Sequence, residues 1–272
     1  MRIWLNGTLQ GDEATVSPLD HGLTTGDGVF ETIKIVDGRP FAVTRHLERL
    51  VRSAVGLGLP TPDVARVEEG IAAVVQADPD IPFGRLRITY TGGVSPLSSD
   101  RGTSGPTILV ATQAIKRPSP TSAIVTVPWV RNERSAVAGL KTTSYAENVR
   151  ALAYAKERGG SEAIFANTVG TLCEGTGSNI FCVYDGELVT PTLESGALAG
   201  ITRALVIEWF GAIERDVPLE RLFEADEVFL TSTTRDIQGI HRADDRDLPA
   251  PGTVTAQVAK IFADRSADEP NP

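Results

Sequence analysis

The stretch Lys116-Arg-Pro-Ser-Pro-Thr121 sets the first limit on the fold. Its prolines and small polar residues give it the composition of a linker, because proline breaks helix and strand alike. A chain of 272 residues divided there is long enough to bury a core on each side. The expected organisation is an N-terminal domain over residues 1–115, a linker over 116–122 and a C-terminal domain over 123–272.

Ahead of the link, residues 3–9 read as a short hairpin turning at Asn6-Gly7. The glycine-rich run Asp20-His-Gly-Leu-Thr-Thr-Gly-Asp-Gly-Val-Phe-Glu31 feeds a strand over 30–36, and Asp37-Gly38 turns it back. Thr44 is the expected N-cap of a helix over 45–55 with Leu47, Leu50, Val51 and Ala54 on one face. A second helix is expected over 64–76, an alternating strand over 85–91, a polar loop over 92–102 and a strand over 107–112. Beyond the link the pattern gives strands over 123–127, 162–166, 179–184, 188–190 and 228–231. Helices are expected over 145–158, 201–210 and 254–264, followed by a disordered tail over 266–272. Strands and helices mix without strict alternation, which favours α+β packing over a doubly wound sheet.

The formal charge of -9 and pI near 4.9 argue against nucleic acid or an anionic membrane as partner. No apolar run has the length of a membrane span, and the first residues read as a strand and turn instead of a signal peptide. Cys173 and Cys182 form no disulfide framework, so a reducing, cytoplasmic setting is expected. His21, His46 and His241 are scattered, with no metal-ligand spacing, and no metal is expected.

Lysine is scarce here, five residues against twenty-one arginines. Lys141, in Gly139-Leu-Lys-Thr-Thr-Ser-Tyr145, has hydroxyl neighbours and no carboxylate close in sequence. That suits an amine that is uncharged part of the time, as in Schiff-base chemistry; a surface lysine ahead of a helix fits the same stretch. Glu174-Gly-Thr-Gly-Ser-Asn-Ile-Phe181 lacks the Gly-Lys-Ser/Thr of a phosphate loop. Its carboxylate either holds a buried cation or sits exposed in a turn. Leu198-Ala-Gly-Ile-Thr-Arg203 opens a helix with glycine before the first turn, an arrangement that binds phosphate or only caps. Thr231-Ser-Thr-Thr234 ends an apolar strand in hydroxyls that line a polar site or a capped loop. Arg49 lies on an amphipathic helix, where a surface ion pair is the ordinary role.

Taken together, these segments resemble the class IV aminotransferases, the fold type IV pyridoxal-phosphate enzymes. The resemblance rests on Glu174 with Asn179-Ile-Phe181 five residues on, then Leu188-Val-Thr190 and Leu198-Ala-Gly-Ile-Thr-Arg203. Gly26-Asp-Gly-Val-Phe-Glu31, His46 with Arg49-Leu50, the lysine segment and Thr231-Ser-Thr-Thr234 extend it over about residues 3–264. It implies a two-domain α+β fold and pyridoxal 5'-phosphate as cofactor. It further implies a homodimer with active sites at the subunit interface. By resemblance, Lys141 is the Schiff-base lysine and proton shuttle, and Glu174 pairs with the ring nitrogen. Arg49, Ile201, Thr202 and Thr233 match the phosphate set, and Leu198 matches the residue under the ring. Tyr145 matches a tyrosine near the cofactor hydroxyl, with a spacing from the lysine that differs by one from the branched-chain enzymes. Phe30 and Thr234 fall in the substrate pocket.

The family includes branched-chain and D-amino-acid transaminases, (R)-amine transaminases and aminodeoxychorismate lyases. The Arg-x-His of D-amino-acid transaminases is absent from Ser95-Pro-Leu-Ser-Ser99, and Ser232-Thr-Thr234 stands where branched-chain enzymes have Gly-Thr-Ala. Lys34 and Arg101 are the nearest candidates to hold a substrate carboxylate. The resemblance thus implies transfer of an amino group between an amino acid or amine and a 2-oxo acid. Release of pyruvate and 4-aminobenzoate from aminodeoxychorismate is the alternative, since proton abstraction by Lys141 begins both. A pyridoxal-phosphate-binding protein without turnover is the third reading.

Overall fold

The computed structural model describes every residue except Asp12. It divides into two compact units: residues 1–117 with 140–145 and 270–272, and residues 118–139 with 146–269.

In the first unit β1 (Arg2–Leu5), β2 (Thr8–Gln10), β3 (Gly28–Val36), β4 (Arg39–Pro40), β5 (Phe83–Thr91) and β6 (Thr107–Ala114) form one antiparallel sheet. Its order is β2-β1-β6-β5-β3-β4. The one-turn helix α1 (His21–Thr24) precedes β3, while α2 (Val43–Gly56) and α3 (Val64–Gln76) lie between β4 and β5. Because strand side chains alternate, Val29, Ile33 and Ile35 of β3 share a face with Leu86, Ile88 and Tyr90 of β5. That face packs with Leu47, Leu50 and Ala54 of α2 and Val67, Ile71 and Val74 of α3. Phe30 and Lys34 of β3 and Arg87 of β5 lie on the opposite face.

The second unit holds β7 (Thr121–Arg131), α4 (Ala146–Glu157), β8 (Glu162–Asn167), β9 (Leu172–Gly175), β10 (Asn179–Tyr184), β11 (Glu187–Thr190) and α5 (Ile201–Phe210). After these come β12 (Ile213–Glu214), β13 (Glu227–Ser232), β14 (Asp236–Ala243), β15 (Arg246–Asp247) and α6 (Thr253–Asp268). Nine strands form a mixed sheet, with β14, β7 and β8 running parallel at its middle. Ile124 of β7 belongs to one apolar cluster and Val125 and Val127 to another with Ala151 and Ala155 of α4, as alternation requires.

The α+β class is as the sequence indicates, with four local differences. The first strand beyond the prolines begins at Thr121, inside the expected linker. The lysine segment groups with the first unit, although the sequence assigned it to the C-terminal domain. Thr142 bridges Val29, Phe30 N donates to Lys141 O at 2.9 Å, and Thr143 N donates to Gly28 O at 2.8 Å. The segment therefore runs antiparallel along the start of β3. Helix α2 begins one residue before Thr44, after Ala42 in the left-handed region, and no side chain of its own caps it. The cap comes from the tail that was expected to be disordered. Asn271 Oδ1 accepts from Thr44 N at 3.0 Å, and Pro270 O accepts from Ala42 N at 2.8 Å. A distant asparagine thus fills the role that an N-cap residue usually fills locally.

Candidate active site

The first unit brings Lys141, Phe30, Tyr145 and Arg49 onto or beside β3. Extended pairing with β3 fixes the Lys141 backbone, and its N–H donates to Ser53 Oγ of α2 at 3.2 Å. Its Nζ lies 4.4 Å from the centre of the Phe30 ring, which also meets the Tyr145 ring edge-on at 5.2 Å.

One residue along, Glu31 points to the other face of β3 and is fully buried. It grips Arg49 bidentately, Nε to Oε1 at 2.8 Å and Nη2 to Oε2 at 2.7 Å, and meets His46 Nδ1 at 2.7 Å. Burial alone would push the Glu31 carboxyl up; the charge and hydrogen bonds of Arg49, with His46, bring it down to about 2. His46 is pushed down, chiefly by burial, and the Arg49 and Lys141 charges add to this. The buried ring is therefore neutral near pH 7, and Glu31 and Arg49 are both charged. Arg49, expected as a phosphate ligand, is held here by a carboxylate that fixes the plane of its guanidinium.

Two further candidates have other surroundings. Lys34 is buried with Nζ 4.7 Å from the Phe41 ring centre, four residues along β3 from Phe30. Arg101 is engaged by Asp27, Nε to Oδ2 at 2.7 Å and Nη2 to Oδ1 at 2.6 Å, and donates to the carbonyls of Leu57 and Gly58. It fastens the 92–102 loop to the turn ahead of β3. His21 joins this group, its ring nitrogens 3.2 Å from Asp27 Oδ2 and 2.9 Å from Ser98 O. A cavity of about 330 Å³ is lined by His21, Asp27, Arg101 and Ser144 among others.

Sequence reasoning missed Arg87. Its guanidinium carbon lies 3.4 Å from the centre of the Phe30 ring, the ring that Lys141 also touches. Its one hydrogen bond is a long one to Thr89 Oγ1 at 3.4 Å, and no carboxylate among the described residues pairs with it. Burial brings its pKa down to about 10. Pairing the alternating strand 85–91 with the strand that carries Phe30 would have pointed to it, since Thr32 stands opposite Arg87 and Thr89 opposite Phe30.

The second unit gathers Glu174, Leu198, Ile201, Thr202, Thr233 and Thr234. Glu174 lies near the end of β9; its Oε2 accepts from Leu198 N at 2.8 Å, and its Oε1 is 3.4 Å from Arg131 Nε. Asn179 Nδ2 donates to Leu198 O at 2.8 Å, so Leu198 is tied from both sides. Asn179 pairs with Thr231, and Ser232 ends β13, so the Thr233-Thr234 turn follows directly. Helix α5 starts at Ile201 and Thr202, both buried, after Gly200. A Cβ at Gly200 would lie 1.9 Å from Asn179 Oδ1, so glycine is required for the helix start to approach β10.

This arrangement fits a phosphorylated ring with a basic nitrogen. The first turn of α5 has no side-chain cap, which leaves its positive end to an anion. Ser178 Oγ and Thr231 Oγ1, flanking and facing Asn179, are buried without hydrogen-bond partners. The Glu174 carboxylate has the chemistry that a protonated ring nitrogen would need in a partner.

Residues 28–243 match the family model for amino-transferase class IV. The chain belongs to that family. A putative branched-chain-amino-acid aminotransferase of Methanocaldococcus jannaschii is 34% identical, with 97% of this chain and 96% of that protein covered. A bifunctional aminodeoxychorismate lyase / D-amino acid transaminase of Mycobacterium tuberculosis is 28% identical over 90% of each chain. Among solved structures, the pyridoxal-phosphate-bound form of a hypothetical aminotransferase from Mycobacterium tuberculosis superposes with a TM-score of 0.86. It is 26% identical, with 97% of this chain and 98% of that one covered. Class IV aminotransferases use pyridoxal phosphate, and this chain is a pyridoxal-phosphate-dependent enzyme of the class.

Proposed function

We propose that this aminotransferase exchanges its amino group with a 2-oxo acid that carries a second carboxylate, and that Arg87 holds that carboxylate. The observation that carries the reading is the Arg87 guanidinium, desolvated, without an acid partner and stacked on the ring that Lys141 Nζ touches. A half-buried arginine lacking a counter-ion is costly in the free protein and is stabilised by an anion bidentately bound.

Pyridoxal phosphate, when bound, supplies an aldehyde that condenses with amines and a ring that accepts the electron pair left as a proton departs the α-carbon. Lys141 Nζ provides the amine and carries that proton. Glu174 would keep the ring nitrogen protonated. Ile201, Thr202 and Thr233 would hold the phosphate, with Arg49 held ready by Glu31. Leu198 and Tyr145 would contact the cofactor, and Phe30 and Thr234 would line the substrate side. Lys34 is a second cation on the Phe30 face. Arg101 is left out of the substrate pocket, because its charge is committed to Asp27. The working form is a cytoplasmic homodimer.

The test is steady-state transamination with 2-oxoglutarate and with pyruvate as acceptors, before and after Arg87→Gln. A lost charge-assisted hydrogen bond of about 1.5–3 kcal/mol corresponds to roughly 10- to 150-fold. That loss should appear in kcat/KM for 2-oxoglutarate and leave pyruvate nearly unchanged. Equal losses for both acceptors would remove Arg87 from the second-carboxylate role. Formation of 4-aminobenzoate from aminodeoxychorismate with no acceptor present would favour the lyase reading, which the similarity to a bifunctional relative keeps open.

A further inference from the structure

Glu162 takes no part in the site as described, yet its carboxylate joins two of its loops. It stands first in β8 and is buried to 2% exposure. Three donors from two separate segments converge on it. Thr176 Oγ1 and Gly177 N, the latter at 2.8 Å, bond to Oε1; they lie two and three residues after Glu174. Arg235 Nη2 bonds to Oε2 at 2.6 Å, and Arg235 directly follows Thr233-Thr234. Arg235 is itself aimed by Gln238, which accepts from Nη1 at 2.5 Å and donates to Ser119 O at 2.6 Å.

We propose that Glu162 is a positioning residue for the cofactor, a clamp that ties the loop after Glu174 to the turn after Thr233. The inference rests on reading Glu174 and Thr233 as cofactor contacts. Each loop is closed by backbone bonds of its own, Thr176 N to Ala163 O at 3.1 Å and Gly175 N to Ser178 O at 2.8 Å on one side and the Ser232–Asp236 pair on the other. The clamp adds a direct tie from one loop to the other, because a buried carboxylate with three charge-assisted bonds holds each donor closely. The two oxygens divide the work, Oε1 for the Glu174 side and Oε2 for the Thr233 side.

That division gives separable variants. In Glu162→Gln the amide oxygen can still accept from Thr176 and Gly177, while its NH₂ opposes the Arg235 donor, so the Thr233 side is released. Arg235→Gln releases the same side from the other end and serves if the first variant folds poorly. Thr176→Val loosens the Glu174 side alone. Each holoenzyme is compared by phosphorus NMR of the bound phosphate, pH titration of its visible absorption band, cofactor dissociation constant and thermal unfolding. Loss of a group that orients a ligating side chain typically costs about 10- to 100-fold in affinity or activity at metal sites, and the same order is expected here. Glu162→Gln and Arg235→Gln should weaken cofactor binding by that order and move or broaden the phosphorus resonance, with the visible titration unchanged. Thr176→Val should move the visible titration and spare the phosphorus resonance. A Glu162→Gln protein that only unfolds at lower temperature, with wild-type affinity and phosphorus resonance, overturns the clamp. Thr233→Ala is the control. If it too leaves the phosphorus resonance unmoved, the reading of Thr233 is wrong and the clamp falls with it, a failure distinct from that of Glu162 alone.

Discussion

Replacing Glu31 by Gln should destabilise the first unit strongly and flatten its response to acid. The amide keeps the shape and can still accept from Arg49 Nε. It cannot accept at the position of Oε2, where Arg49 Nη2 and His46 Nδ1 both arrive at 2.7 Å. Removing one partner of a buried ion pair costs about 3–5 kcal/mol. Two charge-assisted bonds at about 1.5–3 kcal/mol each give a similar figure. The fall of the Glu31 pKa from an ordinary 4.5 to about 2 corresponds, at 1.36 kcal/mol per pH unit, to roughly 3 kcal/mol. Three routes therefore agree on about 3 kcal/mol.

The sign with pH follows from the same shifts. Glu31 is depressed, so its contribution is complete above its unfolded pKa and is lost as pH falls through that value toward about 2. His46 is also depressed, so acid charges the unfolded ring before the buried one, which lowers stability as pH falls below about 6.5. Urea unfolding at a series of pH values from 7 to 3 measures both, with tryptophan fluorescence in a Trp129→Phe, Trp209→Phe background reporting on Trp4 in this unit's core. The wild type should lose stability steadily toward acid; Glu31→Gln should start about 3 kcal/mol lower at pH 7 and lose less below pH 5. A variant within about 1 kcal/mol of wild type at pH 7, with an unchanged acid slope, would refute the reasoning, since surface pairs have that magnitude.

Two other outcomes are expected. His21 is raised, chiefly by its hydrogen bond to Asp27, so the latch on the 92–102 loop is complete below about pH 6.5 and loosens as pH rises through its folded value. Amide exchange in that loop, corrected for its intrinsic pH dependence, should quicken over that range in the wild type and not in His21→Asn; parallel profiles would contradict the latch. Asn271→Ala should destabilise α2 by about 1 kcal/mol, the usual worth of an N-cap, measured by chemical unfolding. A loss no larger than that of an exposed surface change would show that the tail does not cap the helix.

Much of this molecule is legible in its sequence because its elements are strongly periodic. The alternating run that became β5, the apolar runs between turn signals that became β3 and β10, and the amphipathic run that became α2 needed no tertiary information to place. What escaped was non-local. β14 lies at the middle of the larger sheet yet reads Asp-Ile-Gln-Gly-Ile-His-Arg-Ala, where burial of Gln238 rests on partners far away in sequence. The cap of α2 comes from residue 271, and the lysine segment crosses into the first unit by pairing with β3. Arg87 escaped for the same reason: its importance lies in the ring on the neighbouring strand, and strand pairing is not written in either strand alone.

The motif Gly26-Asp-Gly-Val-Phe-Glu31 shows how such non-local demands are compressed into adjacent residues. A Cβ on Gly26, whose φ is 72°, would lie 2.6 Å from Ser144 Oγ, and one on Gly28 would lie 2.9 Å from Thr143 Oγ1. Both glycines let the lysine segment close on the strand. Asp27 between them takes Arg101 and His21, and so holds the 92–102 loop. From Val29 the strand alternates: Val29 enters the core, Phe30 turns to the Lys141 amine and the Arg87 guanidinium, and Glu31 turns back to fix Arg49. The period of two is what keeps the ring with the amine on one face and the carboxylate with its arginine on the other. A slip of one residue would bury the ring against α2 and set the Glu31 carboxylate on the Lys141 face, where the two would pair. The identity of each residue in the motif is thereby tied to a different partner, and the spacing among them follows from the pleat of a single strand.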